Sequence, residues 1–295
     1  MPAGWPSTVP ELIVNADDFG RLPAINTAVI RAHREGVLTS ASLMVTGGAV
    51  NEAALLAHGL PTLAVGLHVV VVGGRAVLPH DEIPHLVDGR GYFDSNPVRA
   101  GLRYSFSSAA RQDLARELRA QFDLFVSLGL PLSHVDGHLL MHLHPTVFGL
   151  LLPLLRQHDV AGFRLPHDDL RLALAAQPRR WATKTTWATA FAALCRWARP
   201  RLHDSGAVAT DRVFGVFQSG QMTETYVLRL LDRLGRRVRS AELYFHPSTE
   251  WLGEPYGPNP QDLATLLSPA LRRKLERSGI RLTTYPALRA RQLHE

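Results

Sequence analysis

The chain has 295 residues, 46% of them hydrophobic, which suits one large domain or two small ones. Its formal net charge is +6, nearly all of it from arginine, and we infer no nucleic-acid binding from that balance. With Cys195 as the single cysteine, no intramolecular disulfide is possible and no cysteine-based metal site is expected. Because residues 1–10 lack the regions of a signal peptide and no apolar stretch approaches roughly 20 residues, we expect a cytoplasmic protein, with peripheral contact at the inner membrane face left open.

Short apolar runs alternate with amphipathic segments along the chain. The runs predict strands at 12–14, 37–45, 63–72, 132–136, 162–165, 212–217, 241–245 and 280–283. The segments predict helices at 23–35, 49–58, 109–128, 146–158, 171–201, 223–234 and 262–278, with an irregular loop at 75–107. This alternation predicts an α/β fold: a TIM-barrel-like, irregular (β/α) barrel of seven or eight parallel strands. We expect one domain over 1–295, with a helical insertion at about 171–206.

Two adjacent carboxylates, Asp17 and Asp18, follow the first predicted strand. Neighbouring residues of a strand point to opposite sides, so both can reach one pocket only if the backbone bends where the strand ends. Two carboxylates in one pocket repel each other unless a cation or a shared proton offsets their charge. A divalent metal held by one, with the other left as a base, meets this requirement. The alternative is that one of them caps the following helix.

Ligand-type side chains recur at the ends of other predicted strands. They are the run His134-Val135-Asp136-Gly137-His138, Arg164 and His246, and His68 lies within the third predicted strand. In a parallel barrel these strand ends face one mouth, where active sites are built. Taken alone, His68 would be an ordinary core histidine, and the spacing of His138 and His142 is a weak signal. Together with a carboxylate, two imidazoles form a common ligand set for a hydrolytic divalent ion.

Four motifs stand in order along most of the chain. They are Asn15-Ala16-Asp17-Asp18-Phe19-Gly20, Val65-Gly66-Leu67-His68, His134-Val135-Asp136-Gly137-His138 continuing to His142, and Tyr244-Phe245-His246-Pro247. In these motifs the chain resembles the YdjC-like (ChbG-type) carbohydrate deacetylase family. The stretches 70–79 and 83–88 resemble the branch of that family associated with hopanoid biosynthesis.

The resemblance implies a barrel that uses one divalent metal ion, Mg²⁺ or Zn²⁺, to remove N-acetyl groups from amino sugars. Carried over residue by residue, the metal ligands fall on Asp18, His68 and His138. The general base falls on Asp17, and His246 suits a general acid that protonates the leaving amine.

Two further residues are expected to contact the substrate, each with an alternative role. His142 could instead orient Asp17 or a metal ligand, and Arg164 could instead hold a carboxylate or form a structural ion pair. The chain departs from the family's pattern after its fourth predicted strand, where Gly137 replaces a serine and Leu139 and Leu140 replace part of a histidine run. This departure bears on substrate contacts more than on metal binding.

The leading hypothesis is a hydrolase that deacetylates an N-acetylglucosamine-type sugar carried on a hopanoid glycolipid. Within enzymes, the alternatives are a deacetylase of soluble chitin-type oligosaccharides and another metal hydrolase such as a phosphoesterase. The alternative of a different class is a non-catalytic barrel that binds lipid or sugar. No nucleic-acid partner is expected, and a homodimer is left open.

A segment rich in tryptophan and arginine lies within the predicted insertion. Trp181, Trp187 and Trp197 stand there among the arginines of the range 179–201. Such a cationic aromatic helix either lies in a membrane interface or packs its aromatic side chains against the barrel. A lipid substrate would favour the first alternative, in which the segment is a lid or a membrane-contact patch beside the mouth.

Overall fold

Seven parallel strands form a curled sheet, a half-barrel, which an eighth short strand joins. The computed structural model describes residues 10–177, 181–234 and 238–293. The strands are β1 (Glu11–Phe19), β2 (Ser40–Leu43), β3 (Ala64–Val69), β4 (His134–Gly137), β5 (Gly162–Phe163), β6 (Arg212–Phe214), β7 (Ser240–Phe245) and β8 (Arg281–Leu282). Their order is β5-β4-β3-β2-β1-β7-β6, with β8 on β1, and this arrangement confirms the predicted barrel-like α/β fold.

Helices surround this sheet. They are α1 (Pro23–Glu35), α2 (Val50–His58), α3 (Pro97–Phe106), α4 (Ser108–Ser127), α5 (Pro145–Gln157), α6 (Leu170–Ala176), α7 (Trp181–His203), α8 (Glu224–Arg233), α9 (Pro260–Leu266), α10 (Pro269–Ser278) and α11 (Tyr285–Gln292), with a 3₁₀ segment at His138–Leu143. None of the helices in the described ranges has the length and hydropathy needed to cross a bilayer.

Strand β1 lies between β2 and β7, at the centre of the sheet. Every residue of β1 after Glu11 is buried, as expected of a parallel strand that is covered on both faces. Strand β7 pairs with β1 from Glu11 to Ala16, and β2 pairs with it from Asn15 onward. The carboxyl end of β1 is therefore held on both sides at the centre of the barrel mouth.

The long predicted loop at 75–107 contains a helix that the sequence analysis missed. Asn96 caps α3 by accepting hydrogen bonds from the N–H groups of Val98 and Arg99, and Pro97 lies in its first turn. Asparagine followed by proline is a helix-start signal. The glycine and proline residues scattered through this loop outweighed that signal in the sequence analysis.

Two buried polar side chains of α4 form hydrogen bonds with the backbone between Val70 and Leu78, where this loop begins. Gln121 donates to the carbonyl of Val70 and accepts from its N–H. One turn earlier on α4, the Glu117 carboxylate accepts from the N–H groups of Val77 and Leu78. Because Val70 lies two residues beyond His68, these bonds fix the chain immediately after that histidine.

Other boundaries differ from the sequence predictions for local reasons. The predicted helix at 262–278 is two helices, since Ser268 caps α10 and Pro269 cannot continue α9. The predicted helix at 171–201 is α6 and α7, and Arg179 and Arg180 lie outside the described residues. Helix α11 was not predicted, and several strands are shorter than predicted; β2, for example, spans four residues.

Candidate metal centre and active site

The end of β1 brings both adjacent aspartates to one cavity. Asp18 has a φ of 63°, in the left-handed region, and the pairing of β1 with β2 shifts register between Ala16 and Phe19. This bend turns Asp18 out of the strand alternation, so Asp17 and Asp18 both line the cavity. The bend expected from the sequence is therefore present.

Three side chains from three strand ends converge beside this bend. The Oδ1 atom of Asp18 lies 3.6 Å from Nε2 of His68 and 3.4 Å from Nδ1 of His138. The ligand atoms of all three residues lie within 4.8 Å of one another. Oδ1 of Asp18 is buried and has no hydrogen-bond partner among the described residues. An acceptor buried in this way between two ring nitrogens fits a bound cation.

The other oxygen of Asp18 is already engaged. Oδ2 accepts a hydrogen bond of 3.2 Å from Nη1 of Arg21, which also pairs with Glu254. Burial opposes ionisation of Asp18, but the neighbouring imidazoles of His138 and His68 hold its pKa well below the usual range. Asp18 is thus an ionised carboxylate that offers one free oxygen.

Asp136 orients His68 from behind. The Nδ1–H of His68 donates to Oδ1 of Asp136 over 2.8 Å, which turns Nε2 toward Asp18. Burial opposes protonation of His68, but the charge of Asp136, followed by the charges of Asp17 and Asp18, raises its pKa to about 9. Oδ2 of Asp136 accepts from Ser42 and pairs with Arg164. Asp17, His68 and Asp136 also lie close enough to share an ion, but these bonds occupy Asp136.

Arg164 binds Asp17 with two parallel hydrogen bonds. Nη1 donates to Oδ2 and Nη2 to Oδ1, each over 2.7 Å, and Asn15 donates to Oδ1 over 2.9 Å. Nε of Arg164 donates to Glu242, which also accepts from the hydroxyl of Tyr285. Arg164 is 0% exposed, so it has no surface for the expected substrate contact. It holds a carboxylate, which is the alternative role that the sequence left open.

His142 is also buried behind the site. Its Nε2 donates to the backbone carbonyl of Arg164 over 3.0 Å. Burial and the nearby positive charge of Arg164 lower its pKa to about 4. His138 and His142 share no helix face, because Leu139 and Leu140 between them both have left-handed backbone angles. The expected contact of His142 with the substrate does not fit this burial, and its bond instead fixes the backbone that carries Arg164.

His246 faces Asp17 across the cavity. Its Nε2 lies 3.9 Å from Oδ2 of Asp17, and its ring lines the cavity. The N–H of His246 donates to Oδ2 of Asp262 over 2.9 Å, which fixes the backbone just beyond β7. His246 is therefore placed to hold a proton close to a group bound between it and Asp17.

The cavity has a volume of about 590 Å³, and two groups of side chains among those that line it differ in chemistry. We call the polar group the floor; it consists of Asp17, Asp18, His68, His138 and His246. We call the other group the apolar wall; it consists of Leu139, Leu140, Trp187, Phe191 and Phe217. Trp187 and Phe191 stack with 5.4 Å between ring centroids. The floor can hold and deprotonate small polar groups, and the wall can cover an apolar or ring-shaped one.

The sequence analysis gave no role to three residues of the buried network. Asp136 stood in a recognised motif, two residues before a metal ligand, without an assigned function. Glu242 could have been noticed as a carboxylate within an otherwise apolar strand, because a buried charge requires a partner. Tyr285 lies on α11, which was not predicted, so nothing in its local sequence connected it with Glu242.

Fold and site define a (β/α)-barrel protein with a candidate divalent-metal centre at the carboxyl ends of its strands. The model of the family described as YdjC-like protein matches residues 11–277. The chain belongs to this family.

Several known proteins are similar to this chain over nearly its whole length. A carbohydrate deacetylase of Geobacillus stearothermophilus is 32% identical over 92% of this chain and 96% of its own. A chitooligosaccharide deacetylase of Yersinia enterocolitica is 28% identical over 93% and 97%. A crystal structure from Enterococcus faecalis V583, described as a cellobiose-phosphate cleavage protein, has a TM-score of 0.74 at 25% identity and covers 95% of this chain and 99% of that one. With a Brevibacillus brevis carbohydrate deacetylase, the match spans a little over half (57%) of that relative.

Proposed function

We propose that this protein is a metal-dependent hydrolase that removes the N-acetyl group from an N-acetylglucosamine-type sugar. The observation that carries the proposal is the buried Oδ1 of Asp18, which lies between the ring nitrogens of His68 and His138 and has no hydrogen-bond partner in the part of the chain that the structure describes. The carboxyl group of Asp17 lines the same cavity. The full-length relatives named as carbohydrate and chitooligosaccharide deacetylases support the same reaction.

Asp18, His68 and His138 would hold the metal ion. A bound divalent ion would lower the pKa of a water molecule and polarise the acetamide carbonyl. Two imidazole nitrogens and one carboxylate oxygen suit Zn²⁺, whereas Mg²⁺ prefers ligands that are all oxygen. Of the two ions that the family resemblance implies, this ligand set favours zinc.

Asp17 accepts the proton that the attacking water loses. Arg164 and Asn15 fix its carboxylate, so the oxygen that takes the proton is held in one orientation. As the water oxygen bonds to the acetyl carbon and the carbon–nitrogen bond breaks, the nitrogen requires a proton. His246, 3.9 Å from Asp17, supplies it, and the products are acetate and a free amino sugar.

For the substrate, we propose an amino sugar carried on a lipid, of which a hopanoid glycolipid is the leading example. The apolar wall supports this choice, since an oligosaccharide presents hydroxyl groups along its whole length and gains little from Leu139 and Leu140. Soluble chitin-type oligosaccharides are the second candidate, and the name of the Yersinia relative favours them. In that case, Trp187 and Phe191 would stack against a sugar ring.

The test is to incubate the zinc-loaded protein separately with an N-acetylglucosaminyl hopanoid, with chitobiose and with p-nitrophenyl phosphate. Released acetate and free amine are measured for the first two compounds, and nitrophenol for the third. We expect acetate from the hopanoid, less from chitobiose, and none from either with Asp18→Asn. Release of nitrophenol without acetate would indicate a phosphoesterase. Binding of either sugar without turnover would indicate a non-catalytic barrel.

A further inference from the structure

Helix α7 is unusually poorly buried for its length. It has 23 residues, of which only Lys184, Cys195, Ala198 and Leu202 are buried. Between Lys184 and Arg196, no residue carries a charge, and most of the residues there are exposed. The exposed face of a helix in water normally carries charged side chains. An exposed face without them indicates a surface that contacts something other than water.

The charges at the ends of α7 have one sign. Arg196, Arg199 and Arg201 are exposed toward its end, Lys184 is buried near its start, and the helix contains no aspartate or glutamate. A cationic helix with an uncharged exposed face complements an anionic, partly apolar surface. Trp181, which is 67% exposed, stands at the first position of the helix. Tryptophan side chains favour the headgroup level of a lipid bilayer.

This exposed surface continues around the cavity mouth. Trp187 of α7 and Leu139, after β4, both line the cavity and are both exposed. Helix α3 begins at Pro97, another residue that lines the cavity. The side chains of Val98, Leu102 and Phe106 recur every fourth residue along α3 and are all exposed, Phe106 by 82%. Exposed apolar side chains are therefore found on α7, which lines the cavity, and on α3, whose first residue lines it.

We propose that these two helices dock the cavity mouth onto an anionic lipid bilayer. We call the exposed residues of α7, together with Leu139, Val98, Leu102 and Phe106, the docking face. The arginines of α7 attract anionic headgroups, and the exposed tryptophans and the apolar residues of α3 enter the interface. Docking itself does not require the proposed function. Only its biological advantage rests on that function, because a lipid-linked sugar could then enter the cavity without leaving the bilayer.

The docking face differs from the membrane patch considered from the sequence. Trp197 is not part of it, because its ring packs against Phe148, with 5.3 Å between centroids, and Arg201 lies over the same ring. Trp187 is shared between the docking face and the apolar wall. The Trp197 ring is therefore attached to the barrel, whereas Arg196, Arg199 and Arg201 beside it remain exposed, and the aromatic part of the lipid contact lies toward the start of α7.

The test is co-sedimentation of the full chain with phosphatidylcholine vesicles, with and without phosphatidylglycerol, at low and moderate salt. We expect the wild type to bind the anionic vesicles, less so at moderate salt. Ala190→Glu on α7 and Leu102→Glu on α3 should each weaken that binding about fivefold or more. The matched controls are Ala290→Glu on α11 and Leu55→Glu on α2, and all four residues are exposed. Helix α11 follows β8, which pairs with the amino end of β1. Both controls should bind like the wild type.

Three outcomes would overturn the docking proposal. In the first, the wild type stays in the supernatant; in the second, the test variants bind vesicles as well as their controls. In the third, the chain forms a dimer without lipid, and only the test variants dissociate it. A second copy of the chain would then cover the docking face. Acetate release from chitobiose is measured in parallel for every variant. Because Ala190 and Leu102 do not line the cavity, that rate should not change. Vesicle binding with no acetate released from either chitobiose or the N-acetylglucosaminyl hopanoid would overturn the proposed function and leave the docking proposal standing.

Discussion

The floor of the cavity and helix α7 are held in very different ways. Beneath the floor, Arg164 bonds or pairs with Asp17, Asp136 and Glu242, and all four residues are buried. Helix α7 carries part of the apolar wall but buries four of its 23 residues. The side chains of the floor therefore have fixed positions, whereas α7 is held by few buried side chains. Because the floor and α7 are held by different contacts, we expect that mutations can change metal binding and substrate choice separately.

Removing a metal ligand should have the largest effect. We expect Asp18→Ala, His68→Ala and His138→Ala each to lower zinc affinity by at least about 100-fold and reduce deacetylation to background, because each removes one of three ligands. Mass spectrometry would measure zinc content and circular dichroism would measure folding, so the two would separate loss of metal from loss of fold. His203→Ala, at an exposed histidine outside the cavity, is the control. Full zinc content in the His68→Ala protein would refute this ligand set.

Asp17→Asn should separate catalysis from metal binding. The amide cannot accept the proton from the attacking water, so kcat should fall about 10²- to 10⁴-fold while zinc content stays at the wild-type level. Steady-state kinetics and metal analysis on the same preparation test this. If Asp17→Asn lost its zinc and Asp18→Asn retained it, the roles of the two aspartates would be reversed.

Arg164→Met should show how strongly the floor depends on its buried charges. The substitution leaves Asp17, Asp136 and Glu242 without their common cation, and we expect the free energy of unfolding to fall by about 3–5 kcal/mol. Urea denaturation measures the change. Arg90→Met is the control, because Arg90 is exposed and pairs only with Asp88 among the described residues. Equal stability of the two variants would contradict the account of the buried network.

Asp136→Asn tests the orientation of His68 and adds a pH dependence. With its pKa near 9, His68 is protonated at neutral pH in the metal-free protein and must lose that proton to bind zinc. Zinc affinity should therefore fall about tenfold for each unit that the pH drops below 9. Asp136→Asn removes the charge that raises this pKa, so the dependence should flatten while affinity at pH 8 falls about 10- to 100-fold. Unchanged affinity and slope, by calorimetric titration, would contradict this orienting role.

Trp187→Ala should have the smallest effect on stability, because α7 is poorly buried. We expect the free energy of unfolding to fall by about 0.5–1 kcal/mol, because Trp187 loses its stacking on Phe191. For Phe122→Ala in the core, we expect a fall of about 3–5 kcal/mol. The same variant should raise KM for a lipid-linked sugar more than it changes kcat. A loss of several kcal/mol would show that α7 is as firmly packed as the core.

The part of the site that follows from strand ends was predictable from the sequence. Asp17, Asp18, His138 and His246 each closely follow a predicted strand, and parallel strands place such residues at one mouth. His68 lies inside the strand predicted at 63–72, which in the structure ends at Val69, one residue beyond it. The support beneath them was not predictable. Arg164 and Glu242 are 78 residues apart, and which buried charges pair depends on sheet order and on the direction of each side chain. The orientation of α7 was equally hidden, because its sequence fits either packing or membrane contact.

The most direct test of the metal centre is X-ray diffraction from a zinc-soaked crystal, recorded on both sides of the zinc absorption edge. The account predicts one anomalous peak within bonding distance of Oδ1 of Asp18, Nε2 of His68 and Nδ1 of His138. It predicts the loss of that peak in Asp18→Asn under the same soak. A peak between Asp17 and Asp136, or no peak at saturating zinc, would contradict the central claim.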